Sequence, residues 1–127
     1  MKTPVRVLLV EDEELVQRIT TKLLISLGCT VDVAQNGKQA LEKNFNTYDL
    51  ILMDIGLPDM DGTEVTKIIR ESFSACDLPI IALTAHVQSH YRQQCLSVGM
   101  NHVLNKPAAK SELNQIITRY VPKHAIV

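Results

Sequence analysis

Four polar groups in this chain each stand directly after a short apolar run. Glu11-Asp12 follows Val5–Val10, Asp54 ends the run Asp49-Leu50-Ile51-Leu52-Met53-Asp54, Thr84 follows Pro79–Leu83, and Lys106 follows Val103-Leu104-Asn105. A carboxylate such as Asp54 is already ionised at neutral pH, so it can act as a nucleophile without a general base. Attack on a phosphoryl group would give an aspartyl phosphate. Such a transfer depends mainly on positioning and charge neutralisation. The Lys106 ammonium and the Thr84 hydroxyl are suited to neutralise and hydrogen-bond the phosphoryl oxygens. Glu11, Asp12 and Asp54 raise a second question, because two like charges 4 Å apart cost about 4 kcal/mol at an effective dielectric near 20. Something positive must sit among them. Mg²⁺ meets that need with oxygen ligands and retained waters. Asp12 and Asp54 are candidates for direct ligation, and Glu11 for ligation through a bound water.

Taken singly, each residue has a plainer explanation. An Asp at a strand end commonly forms a turn, Thr84 would make a good helix cap, Glu11-Asp12 would favour the start of the next helix, and a lone lysine is usually surface charge. The reading rests on all four occurring at strand ends, so the elements that carry them matter.

Strand-like and helix-like segments alternate along the chain. The strands expected are Val5–Val10, Thr30–Ala34, Leu50–Met53, Pro79–Leu83 and Asn101–Asn105. The helices expected are Glu14–Leu27, closed by Gly28, then Gly37–Asn46, Asp61–Ser72, Gln88–Val98, closed by Gly99, and Ser111–Tyr120. Leu15, Ile19, Leu23 and Leu27 recur every four residues, which leaves Leu15 equally a core residue or an exposed one. Val65, Ile68 and Ile69 are expected on one side of the third helix, and Leu113, Ile116, Ile117 and Tyr120 on one face of the last. Thr30–Ala34 and Asn101–Asn105 are the least apolar strands and suit the edges of a sheet. Five βα units with these edges predict a flavodoxin-like α/β sandwich of three layers, with parallel strand order 2-1-3-4-5. In that order strands 1, 3, 4 and 5 are neighbours, so all four polar groups converge at one end of the sheet.

The chain has 127 residues, enough for one domain over 1–127 with a core from about Val5 to Val121. Hydrophobic residues make up 46% and charged residues 21%, with a net charge of −1. Nothing in that balance favours nucleic acid or an acidic membrane surface. No apolar run is long enough to span a bilayer. A strand and not a signal peptide follows Met1-Lys2-Thr3-Pro4, so a cytoplasmic setting is expected, on its own or as the cytoplasmic part of a membrane-bound protein. Cys29, Cys76 and Cys95 are odd in number and widely spaced, which implies reduced thiols and neither a zinc site nor a disulfide framework. No DNA-binding or catalytic unit is expected after Tyr120, so output would lie elsewhere.

The ordered set Glu11-Asp12, Asp54, Pro58 with Asp61-Gly62, Thr84-Ala85 and Lys106-Pro107 resembles the receiver domain of two-component response regulators. Gly99-Met100-Asn101 and Ala82-Leu83-Thr84-Ala85-His86 look most like receivers attached to hybrid histidine kinases. The resemblance implies Asp54 as phosphoacceptor, with Thr84 and Lys106 as its catalytic partners. It adds the backbone carbonyl of Gly56 to Glu11, Asp12 and Asp54 as metal ligands, with Mg²⁺ as cofactor. It implies a phosphohistidine donor on a histidine kinase or histidine phosphotransfer domain, and a cis bond before Pro107. Receivers of this kind catalyse their own phosphorylation and dephosphorylation without being dedicated enzymes. Thr84 would move toward the phosphoryl group and shift the segment Gln88–Val98. Many members carry an aromatic three residues before the lysine, where this chain has Val103, which suits onward relay better than a strong switch. The docking rim would comprise Glu14, Leu15, Ile55–Pro58 and Pro107. Gly56 leaves room for water that His86 could partly fill.

Two rivals remain. Asp59-Met60-Asp61-Gly62-Thr63 matches the signature of haloacid dehalogenase phosphatases, but Gly56-Leu57-Pro58 breaks the strand that signature requires. A flavodoxin-like cofactor binder would need a phosphate loop and an aromatic pair for the flavin, and neither is visible. His86 and His90 have the spacing of a helical metal pair but lack a third ligand, and exposed histidines are the better reading.

Overall fold

A computed structural model describes residues 4–85 and 89–122, without the side chains of Ser89 and His90. The strands are β1 (Val5–Val10), β2 (Cys29–Ala34), β3 (Leu50–Asp54), β4 (Ile80–Thr84) and β5 (His102–Asn105). The helices are α1 (Glu14–Ser26), α2 (Gly37–Leu41), α3 (Gly62–Arg70), α4 (Ser89–Ser97) and α5 (Lys110–Tyr120). All neighbouring strands are parallel, in the order β2-β1-β3-β4-β5. This is the flavodoxin-like order, with the two more polar strands at the edges.

Each strand alternates its side chains between two apolar layers. Leu8, Val10, Ile51, Met53, Ile80 and Ala82 meet Ala40 of α2, Val65 and Ile69 of α3, and Cys95 of α4. Val7, Leu9, Leu50, Leu52, Ile81 and Leu83 meet Leu24 of α1 and Leu113, Ile116 and Ile117 of α5. Burial on both faces explains why β3 and β4 read as continuous apolar runs.

Several expectations are corrected. The second helix stops at Leu41, and a separate 3-10 turn forms at Phe45–Thr47. Asn44 causes the break, because its side chain accepts from the Asn46 N–H and competes with the helix backbone. The third helix ends at Arg70, whose guanidinium donates to the Phe73, Ser74 and Leu78 carbonyls and holds the chain in a turn. Ile68 is exposed, and Thr66 takes the inward position, its hydroxyl satisfied by the Gly62 carbonyl. Leu15 is 69% exposed, which removes the core reading for it. A four-residue step overshoots a helical turn by about 40°, so the row from Leu27 back to Leu15 winds away from the sheet. Thr20 and Leu24 line the buried face instead. Gly28 and Gly99 both have positive φ, +89° and +103°, as the ends of α1 and α4 require. Gln88, at the expected start of the fourth helix, lies outside the described residues, as does His86.

Candidate functional site

The parallel register delivers the polar groups to one place. Val10 pairs with Met53, Asp54 with Leu83, and Thr84 with Asn105. The next backbone bonds continue this pattern: Glu11 N–H donates to the Ala34 carbonyl, Ile55 N–H to Leu83, and Lys106 N–H to Thr84. Glu11, Asp54, Thr84 and Lys106 therefore stand side by side at the carboxyl ends of four adjacent strands. The Lys106-Pro107 bond is cis, as the resemblance implied.

Glu11, Asp54 and Thr84 are buried, while Asp12 is exposed. One carboxylate oxygen from each of Glu11, Asp12 and Asp54 lies within 4.8 Å of the others. The Lys106 ammonium sits 3.2 Å from Asp54 Oδ2, 3.4 Å from Glu11 Oε1 and 3.3 Å from Glu13 Oε1. Asp54 Oδ1 accepts from the Gly56 N–H at 2.9 Å, and Glu11 Oε2 accepts from the Glu13 N–H at 3.0 Å. Glu11 Oε1 is buried without a hydrogen-bond partner among the described residues. Three carboxylates around one ammonium, with Asp12 clustered beside two of them and a buried Glu11 oxygen whose only recorded contact is that ion pair, form a donor set that fits a hard divalent cation.

The electrostatics reflect that imbalance. Burial pushes the Glu11 carboxyl up to about 7, opposed by the Glu13 N–H and Lys106 and reinforced by Asp54. Burial likewise raises Asp54 against the pull of the Gly56 N–H and Lys106. Burial works against the Lys106 charge, but Asp54 and Glu11 outweigh it and hold its pKa above the ordinary lysine value. A carboxyl group whose folded pKa exceeds its unfolded one binds protons more tightly in the fold. Its contribution to stability therefore falls as pH rises between the two values. Metal-free protein is expected to lose stability on the order of 2 kcal/mol between about pH 4.5 and about pH 7 through Glu11. Urea unfolding in a chelator should give a higher midpoint near pH 5.5 than near pH 7.5. A midpoint that rises with pH over that interval would contradict the assignment.

Asp54, Gly56, Thr84 and Lys106 open into a cleft of about 300 Å³ whose remaining wall includes Asp61, Tyr91 and Gln94. Tyr91 and Gln94, on α4, were missed from sequence because α4 carries no apolar stripe to orient it. Glu13 was missed as a Lys106 partner because it reads as part of an acidic first turn. Asp59 points away from the cleft, accepting from Gly37 N–H at 2.8 Å and Lys38 N–H at 2.9 Å. No strand runs directly into it, since β3 ends at Asp54, so the phosphatase signature lacks its frame. Val103 is buried in the sheet. The side chain of His90 is not among those described, and the histidine pair is left there.

The sequence profile described as the response regulator receiver domain matches residues 7–118. Hybrid signal transduction histidine kinase L of Dictyostelium discoideum is 38% identical over 122 residues, 91% of this chain and 7% of that protein. Aerobic respiration control sensor protein ArcB of Escherichia coli (strain K12) is 42% identical over 116 residues, 90% of this chain and 15% of that protein. The chain thus spans only a small part of the length of these curated relatives. The receiver domain of sensor histidine kinase PA1611 from Pseudomonas aeruginosa PAO1, solved with magnesium in its active-site cleft, is 39% identical with a TM-score of 0.83. That likeness covers 94% of this chain and 99% of that one. With the acid cluster, the lysine and the sheet order already in place, these matches settle the family: the chain belongs to the response regulator receiver domains of two-component systems, and its relatives include the receivers of hybrid histidine kinases.

Proposed function

We propose that residues 1–127 act as one phosphoacceptor domain of a phosphorelay, in which Asp54 takes a phosphoryl group from a phosphohistidine on a histidine kinase or histidine phosphotransfer domain. The observation that carries this is the Asp54 carboxylate, buried at the end of β3, with Lys106 Nζ 3.2 Å away and two further carboxylates within ligand distance. A carboxylate oxygen of Asp54 forms the new O–P bond as the donor's N–P bond breaks, and the imidazole leaves with the bonding pair. Lys106 balances charge on the phosphoryl oxygens, and the Thr84 hydroxyl, on the same cleft wall, donates to another. Glu11, Asp12, Asp54 and the Gly56 carbonyl would hold Mg²⁺, which when bound neutralises the acid cluster and the incoming phosphoryl charge. Hydrolysis by water at phosphorus restores Asp54, so the domain completes its own cycle. Val103 cannot change its exposure as a large aromatic would, and this favours onward relay over a strong output switch.

Leu15 is an exposed apolar residue at the start of α1, next to Glu14, and Ile19, one turn further along the helix, is exposed too. Pro58 and Pro107 are exposed on the expected rim, whereas Leu57 is buried and drops out of the expected docking patch. Ile116 is buried too, so it offers no surface on the opposite side. An apolar spot ringed by charge suits a weakly bound helical partner. Wild type should accept phosphoryl groups from both acetyl phosphate and a phosphorylated histidine phosphotransfer domain, and chelator should abolish both. Leu15→Asp should slow only the protein donor, by roughly tenfold, the effect of about 1.4 kcal/mol of lost contact. Equal slowing with both donors would remove Leu15 from the docking surface, and uptake undiminished by chelator would contradict the metal-dependent mechanism.

A further inference from the structure

The segment 55–61, between β3 and α3, holds the acceptor from one side. Gly56 N–H donates to Asp54 Oδ1, and Gly62 N–H closes the loop onto the Ile55 carbonyl at 3.0 Å. A Cβ on Gly62 would collide with the Asp54 carbonyl oxygen and lie 2.8 Å from Ile55 Cα. The end of the loop is therefore pressed against the backbone of the acceptor itself. Its tip is fastened elsewhere. Asp59 is exposed, and its two carboxylate oxygens accept separately from Gly37 N–H and Lys38 N–H at the start of α2. Next to it, Met60 packs so closely on Gly37 that a Cβ there would lie 2.7 Å from the Met60 sulfur. The start of α2 has its own cap as well, since Asn36 Oδ1 accepts from Gln39 N–H at 2.8 Å. The Asp59 bridge thus ties the acceptor loop to a neighbouring element that already has a cap of its own.

We propose that Asp59 is a positioning residue, whose bridge to Gly37 and Lys38 fixes the 55–61 loop so that Gly56 presents its backbone correctly to Asp54 and to Mg²⁺. The inference rests on the receiver reading above. Mg²⁺ demands near-ideal octahedral geometry, and a site is productive only when held within about 0.5 Å of it. A loosened loop therefore shows first in metal affinity. The two N–H donors hold the Asp59 carboxyl below the usual range, so the bridge stays ionised wherever the acceptor works.

The test is Mg²⁺ titration of the wild type and three variants, with amide hydrogen exchange over residues 55–61. Asp59→Ala should bind Mg²⁺ roughly five- to tenfold more weakly and exchange faster in that loop. Asn36→Ala strips the cap of α2 but spares the bridge, so it should bind within about twofold of wild type. Asp59→Asn keeps one acceptor oxygen and loses the charge, and should fall between wild type and Asp59→Ala. Asp59→Ala with unchanged affinity overturns the proposal. Equal losses in Asn36→Ala would assign the effect to α2 alone, and equal losses in Asp59→Asn to bare charge; each also overturns it. Failure of the wild type to bind Mg²⁺ would instead bring down the metal site on which the proposal stands, a result separable from the variant ratios.

Discussion

Asp54→Asn is expected to abolish covalent phosphorylation while leaving the fold intact. The amide has no anionic oxygen to attack phosphorus, and among the described residues Asp54 is the carboxylate that lies against Lys106 inside the cleft at the end of a buried strand. The fold should survive for a physical reason. Burial already raises the Asp54 carboxyl, so its ionised form is unfavourable to stability at neutral pH. The amide oxygen can still accept from Gly56 N–H, and Lys106 keeps Glu11 and Glu13 as partners. Thermal unfolding of Asp54→Asn near neutral pH should therefore occur at or above the wild-type midpoint. A variant that takes up phosphoryl groups at the wild-type rate would place the acceptor elsewhere.

Lys106→Ala should have the next largest effect, and on two properties at once. Loss of the cation aimed at the phosphoryl oxygens should slow transfer by about 10²-fold, the usual scale for removing one preorganised charge-stabilising group. It should also cost stability. Without Lys106, Glu11 Oε1 and Asp54 Oδ2 face each other with no ammonium within 3.4 Å. Breaking a buried pair from one side can cost about 3–5 kcal/mol; about 2 kcal/mol is expected here, because the acids can take up protons. The deficit should shrink on acidification and on addition of Mg²⁺, both of which relieve the carboxylates. Lys106→Met keeps most of the packing and should reproduce the loss, which identifies charge as the cause. A Lys106→Met protein as stable and as fast as wild type would contradict the role given to the ammonium.

The fold was legible in the sequence wherever burial dictated the pattern. β3 and β4 are covered on both faces, so their apolar runs mark them without ambiguity, and the polar edges β2 and β5 gave the strand order. That order alone places Glu11, Asp54, Thr84 and Lys106 together. Local competition was harder to read. Asn44 ends α2 by a side-chain bond, and a count of apolar spacings does not register it. Thr66 displaces Ile68 from the inner face because its hydroxyl finds the Gly62 carbonyl. The four-residue row on α1 left Leu15 open between core and surface, and the drift of the helix puts it in solvent.

The site was legible as a set of residues but not as a network. Spacing cannot reveal that Glu13 reaches Lys106 across 93 positions of sequence. Nor can it reveal that Asp59, which reads as half of a phosphatase signature, turns outward to hold α2. Tyr91 and Gln94 enter the cleft wall from a helix without amphipathic pattern, so only packing discloses them.

The most direct test of the account is to locate the phosphoryl group itself. The wild-type chain would be incubated with Mg²⁺ and a phosphorylated histidine phosphotransfer domain, reduced with borohydride to trap any acyl phosphate, digested, and mapped by mass spectrometry. A single reduced residue is expected, Asp54, in the peptide that spans β3, with no trapping when chelator replaces Mg²⁺. Trapping at Asp59, Asp61 or Asp12 with Asp54 unmodified would contradict it.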